Sequence, residues 1–422
     1  MKEWNIARWG RGLVLLFFAA FPWDISRVLF PPYECGPQSP TTFTFVRIAT
    51  FLLVAWGMLY FIQSGVGKNV RRLSGTSLIW GAVPLFIAAL ISLSGSLQPM
   101  TTITEIIRLG LLCLMGVSVA FSFQMEDWTE VTLEHIWQII FSLAVLVSVF
   151  ALFQYATGWG IWGGGEAAAG ARRVNGTFMD PNIFARYLDI SILGTLTLLL
   201  GKLRPWQWWI GAGLFLQAAA LGVTFSRTGW IILALGLIVL LIIHFRHKLT
   251  YLLGGFLVFI IAGAGLSFIP AIHQRLETFS GLFSILGQRI PLIQGGWAMF
   301  QDHPLTGIGL GCFQWAMENP YSSMLASWSY VTRSHTTLVT VGAEMGIWGI
   351  LAMLAFLGTV ILAALRTRGK LRPFALANMV GILVIWLSSQ GEGRFFEDPM
   401  VWAFWGLAIA LQWKRQGAGN YE

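Results

Sequence analysis

The feature that most constrains this chain is the recurrence, from end to end, of apolar runs close to the ~20 residues a helix needs to cross a bilayer. They fall at about 12–30, 41–63, 76–93, 101–122, 133–157, 182–200, 206–223, 228–244, 249–269, 336–364, 373–390 and 396–413. A 422-residue chain that is 56% hydrophobic and only 11% charged has too little polar surface for a water-soluble globule. The expectation is therefore an all-α polytopic membrane protein of about twelve transmembrane helices, with residues 1–422 forming a single membrane domain.

Charge orients the spans. All six lysines, Lys2, Lys68, Lys202, Lys248, Lys370 and Lys414, fall in breaks or tails that the positive-inside rule places in the cytoplasm, so both termini are expected there. The segment from Gln124 to Glu134 dissents, with four acids and no base, but acids weigh little in this rule. The opposite face carries no lysine and eleven arginines: Arg27, Arg47, Arg108, Arg172, Arg173, Arg186, Arg227, Arg275, Arg289, Arg333 and Arg394. Arginine is a permanently charged planar fork that grips phosphate or carboxylate in two places at once, so this face reads as anion-binding. The first apolar run lacks a small-residue cleavage site and reads as a retained helix.

Two outer loops are long. Gly158 to Pro181 is rich in Gly and Ala and reads as a mobile loop. Residues 270–334 form a large, partly helical extracytoplasmic loop between the ninth and tenth transmembrane helices, within which Gln288 to Phe300 has the pattern of a surface-lying amphipathic helix weakened by Gly295 and Gly296. Gly307-Ile308-Gly309-Leu310-Gly311 lacks the Lys-Ser/Thr of a nucleotide loop and reads as a tight turn. A disulfide between Cys35 and Cys312 is the less favoured alternative to two free thiols.

Most of the arginines have a structural explanation beside the functional one. Arg27 follows Asp24 and Arg108 follows Glu105 at a spacing of three, which suits intrahelical ion pairs; Arg186 with Asp189 divides evenly between pairing and function. Arg227, in the turn Thr224 to Trp230, and Arg289 have no acid nearby in sequence, and a charge at such a membrane-edge turn is costly unless an anion pairs with it. His335, in Arg333-Ser334-His335-Thr336-Thr337, is either a helix-capping histidine or a group that takes a proton near neutral pH. The six aspartates include no Asp-x-Asp pair, and no dense acid and histidine cluster stands on the outer face, so neither metal nor cofactor is expected.

Four stretches in order carry a resemblance. They are Arg173 to Ala185, with Gly-Thr-Phe and Asp-Pro-Asn-x-Phe-Ala; Thr224 to Trp230, with Ser-Arg-Thr-Gly; Asp302 to Gly309; and His335 to Gly349, with Glu-x-Gly-x-x-Gly. Together they resemble the O-antigen ligase and O-antigen polymerase superfamily of bacterial membrane glycosyltransferases. Thr336 departs from the pattern, in which many relatives have Asn.

The resemblance implies a C-type glycosyltransferase-like membrane fold in the bacterial inner (plasma) membrane, with an active site on the periplasmic face. It implies inverting, metal-independent transfer of a glycan from undecaprenyl diphosphate to a hydroxyl of lipid A core or of another lipid-linked glycan. His335, Arg289 and Arg227 carry over as catalytic, with Arg227, Arg289, Arg186 and Asn182 binding diphosphate or glycan. The partners are then the lipid-linked donor, the glycan acceptor and the bilayer, with no nucleic acid. The alternative is a transporter or flippase for an anionic lipid-linked sugar, which would use the same arginines.

Overall fold

The computed structural model describes residues 2–23, 44–124, 129–161, 172–201, 209–245, 250, 282–324, 336–392 and 395–418. Every regular element among them is helical. In chain order these are α1 (Lys2–Ala20), α2 (Phe45–Gln63), α3 (Val66–Ser74), α4 (Ser77–Ser94), α5 (Pro99–Phe121), α6 (Thr129–Thr157), α7 (Pro181–Leu200), α8 (Trp209–Val223) and α9 (Arg227–Phe245). After them come α10 (Leu282–Asp302), α11 (Phe313–Glu318), α12 (Thr337–Arg366), α13 (Arg372–Glu392) and α14 (Pro399–Ala418), with 3-10 turns at Ser322–Met324 and Gly369–Leu371.

Eight helical segments are long and apolar enough to cross a membrane, so the count supported among the described residues is eight rather than the expected twelve. The differences are local. Expected spans at 12–30 and 206–223 correspond to shorter apolar helices, Trp9–Ala20 and Trp209–Val223, and 249–269 lies outside the described residues. The run at 396–413 does form α14, but Gln412, Lys414, Arg415 and Gln416 dilute its apolar character.

The chain forms two compact units, each assembled from separate stretches. One comprises Met1–Val14, Thr50–Thr129 and Phe283–Glu422; its core pairs α12 with α4, α5 with α14, and α13 with both α12 and α14. Small residues permit these approaches. A side chain at Gly406 would stand 2.2 Å from the Gly116 carbonyl oxygen, and one at Gly81 would meet Thr359 at 2.0 Å. Phe356, Trp402 and Trp405 fill the space beside them, with ring centroids 5.5–6.3 Å apart.

The other unit comprises Leu15–Ala49 and Glu130–Leu282 and is built on α7, whose window is 78% buried, packed with α8 and α9. Gly194 accepts the Trp137 ring and Gly213 the Phe141 ring. By contrast only 11% of the α9 window is buried, which suits a face turned to lipid.

Candidate functional site

In the unit built on α7, the Asp-Pro-Asn signature is the start of that helix. Asp180 is the N-cap and its Oδ1 accepts from the Asn182 backbone N–H at 2.7 Å, while Pro181 occupies a first-turn position where a missing N–H costs nothing. The backbone of Asn182 is thereby fixed, and its amide oxygen meets two donors from neighbouring stretches. That oxygen accepts from Arg173 Nη2 at 2.7 Å and from Ser226 Oγ at 2.9 Å, and Arg173 Nε donates to the Thr224 carbonyl at 2.9 Å. One side chain thus ties two signature stretches, 173–185 and 224–230, to each other.

The second stretch is a tight turn between α8 and α9. Phe225 takes a positive φ of 50°, Ser226 N–H donates to Thr224 Oγ1, and Trp230 Nε1 reaches back to the Leu221 carbonyl at 3.1 Å. Gly229 is required by closeness: a Cβ there would lie 2.9 Å from Ala185 Cβ and 3.5 Å from Asp189 Oδ2. Arg227 follows as the first residue of α9 and is half-buried, at a helix N-terminus where backbone N–H groups favour an anion. Arg186 is buried on α7, one turn beyond Asn182, and Asp189 is fully buried with both carboxylate oxygens lacking a hydrogen bond among the described residues.

The expected mobility of 158–181 is corrected for its second half, while 162–171 lie outside the described residues. Gln154 donates to the Gly176 carbonyl at 3.0 Å and accepts from its N–H at 2.8 Å, Thr177 Oγ1 donates to the Pro22 carbonyl, and Phe178 stacks on Phe184 at 5.7 Å. Buried amides and a stacked ring hold this stretch in place.

In the unit containing α12, the loop of 303–311 is docked onto a break in that helix. Gly346 adopts φ 62°, ψ −159°, a conformation open essentially to glycine alone, which interrupts the helical hydrogen-bond ladder. The loop replaces the missing bonds. Ile308 N–H donates to the Ala343 carbonyl at 2.9 Å, Gly309 N–H to the Glu344 carbonyl at 3.1 Å, and Ile347 N–H to the Pro304 carbonyl at 2.8 Å. Irregular backbone inside a membrane bundle is tolerable when satisfied in this way. Gly307, Gly309 and Gly311 all have positive φ, as the tight-turn reading requires. Glu344, the acid of Glu-x-Gly, accepts the Phe313 N–H on Oε1 at 3.1 Å and so caps α11.

Arg289 lies on α10, half-buried, three residues before Leu292 on the inward stripe that continues through Gly296 and Met299. The glycine pair that weakened the helix expectation has a packing role, since a Cβ at Gly296 would meet Val339 at 2.5 Å and one at Gly295 would meet Met317 at 2.3 Å. His335, Arg333 and Arg394 lie outside the described residues. Cys312 is a buried free thiol beside Thr102 Oγ1, and Cys35 is outside the described residues. Arg108 and Glu105 form the expected ion pair at 2.9 Å.

The structure places Asn182, Arg186 and Arg227 in one unit and Arg289 in the other, and sequence reasoning missed Arg173 as a ligand of Asn182. The available signal was that Arg173, beside Arg172, has no acid within six residues. Arg173, Arg186, Arg227 and Arg289 all have interactions within the protein, so an incoming anion would compete with existing contacts. Among the described residues no three His, Cys, Asp or Glu side chains are grouped as a metal site needs.

A membrane protein whose ordered motifs form buried turns at helix starts and helix breaks is the class these features define. Residues 212–354 match the family described as O-Antigen ligase, a match over part of the chain that supports the resemblance to the O-antigen ligase and polymerase superfamily and suggests a membrane glycosyltransferase-type function. Comparison with the curated proteins gave no match.

Proposed function

We propose that the chain is an inverting, metal-independent glycosyltransferase that moves a glycan from undecaprenyl diphosphate to an acceptor hydroxyl on the extracytoplasmic face, as an O-antigen ligase or the related polymerase. The observation that carries this reading is the locked node of Arg173, Asn182 and Ser226, which holds Arg227 at the start of α9. Anionic oxygen at that position meets a guanidinium and the positive end of the helix dipole together.

In the reaction the acceptor oxygen attacks the anomeric carbon from the side opposite the diphosphate. The bond from that carbon to the diphosphate oxygen breaks, and the electron pair leaves with undecaprenyl diphosphate. Arg227 and Arg289, with Arg186, offset the growing charge without a divalent ion. His335 takes or orients the proton of the attacking hydroxyl.

The test is a transfer assay with purified protein in detergent, with lipid-linked glycan and acceptor, in EDTA, and products read by mass spectrometry. Glycosylated acceptor is expected, with loss of at least ~100-fold in Arg227→Ala and Arg289→Ala, the scale of removing a group that stabilises transition-state charge. A requirement for metal, or full activity in both variants, overturns the arginine mechanism. Binding without product in a system with no gradient points to the transporter.

A further inference from the structure

In the unit containing α12, basic residues concentrate at the end away from the break at Gly346, and none of the roles proposed above uses them. α4 crosses α12 with Gly81 against Thr359, and its other end at Gly95 stands beside Thr306 and Gly307 of the docked loop, so the two helices run antiparallel. Ser74, seven residues before Gly81, is then level with Arg366, seven after Thr359. α14 ends at the same level, since Ser77 Oγ donates to Gln412 Oε1 at 3.1 Å and Trp413 Nε1 to Thr76 Oγ1 at 2.7 Å. The start of α4, the end of α14 and the turn from α12 into α13 thereby meet at one end of the bundle.

α3 joins α2 to α4 at this end, and its rotation about its own axis is fixed. Asn69 is buried and donates from Nδ2 to the Phe61 carbonyl at 3.0 Å and to Ser64 Oγ at 2.8 Å, while the Arg72 guanidinium stands 4.4 Å from the centre of the Trp413 ring. With Asn69 and Arg72 turned to the protein, the other two sides of the helix face outward. Val66 and Val70, one turn apart, are both exposed and form an apolar stripe, and Lys68 and Arg71 are exposed on a separate stripe. This is the pattern of a helix that lies along a membrane surface. Trp80 is exposed nearby, with its indole N–H tied to the Ser74 carbonyl at 2.7 Å, as suits an interfacial tryptophan.

Lys68, Arg71, Arg366, Arg368, Lys370 and Arg372 are all exposed, and among the described residues none of them forms an ion pair. The excess of positive charge is a property of the sequence as well. In this unit the segments that join or extend the helices at this end, 1–11, 64–76, 122–129, 365–372 and 412–422, hold twelve bases against four acids, Glu3, Glu126, Asp127 and Glu422. We propose that α3 and the turn of 366–372 form a docking surface for the headgroups of acidic phospholipids in the leaflet at this end, which the positive-inside rule assigns to the cytoplasm. A phosphate headgroup offers charge to Lys68, Arg71 and the turn while its acyl chains cover the valine stripe. A soluble polyanion matches the charge and leaves the stripe in water. Lipid binding here is independent of the transfer reaction.

The experiment is native mass spectrometry of the full chain in detergent, titrated with phosphatidylglycerol or with phosphatidylcholine of the same acyl chains. Phosphatidylglycerol is expected to be retained at least ~10-fold more strongly, the scale of two basic residues acting on one acidic headgroup. Arg71→Glu and Lys370→Glu should each lower that preference at least ~5-fold. Arg172→Glu, the same change of net charge in the other unit, should leave it unmoved, and the charge-preserving pair Lys68→Arg with Arg71→Lys should keep it. Elution of each variant at the wild-type volume in size-exclusion chromatography separates lost lipid binding from lost folding. Equal retention of the two lipids, or equal losses in Arg71→Glu and Arg172→Glu, overturns the surface. Displacement of the lipid by free glycerol phosphate overturns the lipid as its occupant.

Discussion

Asn182 is the residue on which two distant stretches converge. Its amide oxygen takes a charge-assisted bond from Arg173 and a neutral one from Ser226, contributing ~1.5–3 and ~0.5–1.5 kcal/mol respectively. Asn182→Ala is expected to lower stability by ~2 kcal/mol and transfer activity by at least tenfold, whereas Asn182→Asp keeps the acceptor oxygens and stays close to wild type; thermal unfolding in detergent and the product assay read both. Tyr321 gives a pH-dependent case. Its hydroxyl donates to Asp302 Oδ2 at 2.7 Å, and burial, then the bond to Asp302 and its charge, push the phenol up to about 12. The folded state therefore holds this proton more tightly than the unfolded state, so the contact is intact below about pH 10 and is lost as pH rises towards 12. Wild type is expected to lose stability across that window relative to Tyr321→Phe, a difference visible in paired unfolding curves. At this scale the sequence was partly legible. Arg227 stood out because a charge in an apolar turn needs a reason, but the partner of Arg173 is nine residues away through a helix start, and spacing alone does not show which way an amide points.

Helices and turns were legible where their signal was local. Asp180-Pro181 reads as a helix start because capping chemistry is confined to three residues, and α10 forms over the expected amphipathic stretch. The Glu-x-Gly break in α12 was not legible as a break, because the run from 336 to 364 is apolar apart from Glu344 and a few threonines, and only a partner loop can satisfy the bonds that Gly346 releases. A side chain at Gly346 would lie 2.7 Å from the Pro304 carbonyl oxygen as well as requiring a glycine-only conformation. Gly346→Ala is therefore expected to cost ~3 kcal/mol or more, and Gly307→Ala, whose Cβ would meet the Glu344 carbonyl at 2.3 Å, a similar amount. Because both substitutions attack one interface, the double variant should cost less than the sum of the two, which a double-mutant cycle of unfolding free energies measures. Additive losses would show that the loop and the break are not one element.

For the whole molecule, the lysine distribution makes a topological prediction. An impermeant amine reagent applied to intact cells is expected to leave all six lysines unmodified and to reach Lys68 and Lys370 once the membrane is opened. Modification of Lys68 from outside would overturn the orientation. The membrane class and the likeness to the O-antigen ligase family were legible because hydropathy and ordered motifs are properties of the linear chain. The span count was less so, since α8 begins where the described residues begin at 209 and the end of α14 is polar at Gln412, Lys414, Arg415 and Gln416. The break at Gly346 has a mechanical consequence at this scale. It divides α12 into Thr337–Met345, nine residues, and Ile347–Arg366, twenty residues. The long arm measures about 30 Å, the thickness of the hydrocarbon layer. Helices respond to thicker or thinner bilayers by tilting. Here the loop of 303–311 holds both arms, the short one at Ala343 and Glu344 and the long one at Ile347, so it works as a splint that sets the angle between them, and a change of tilt in the long arm is passed to the loop.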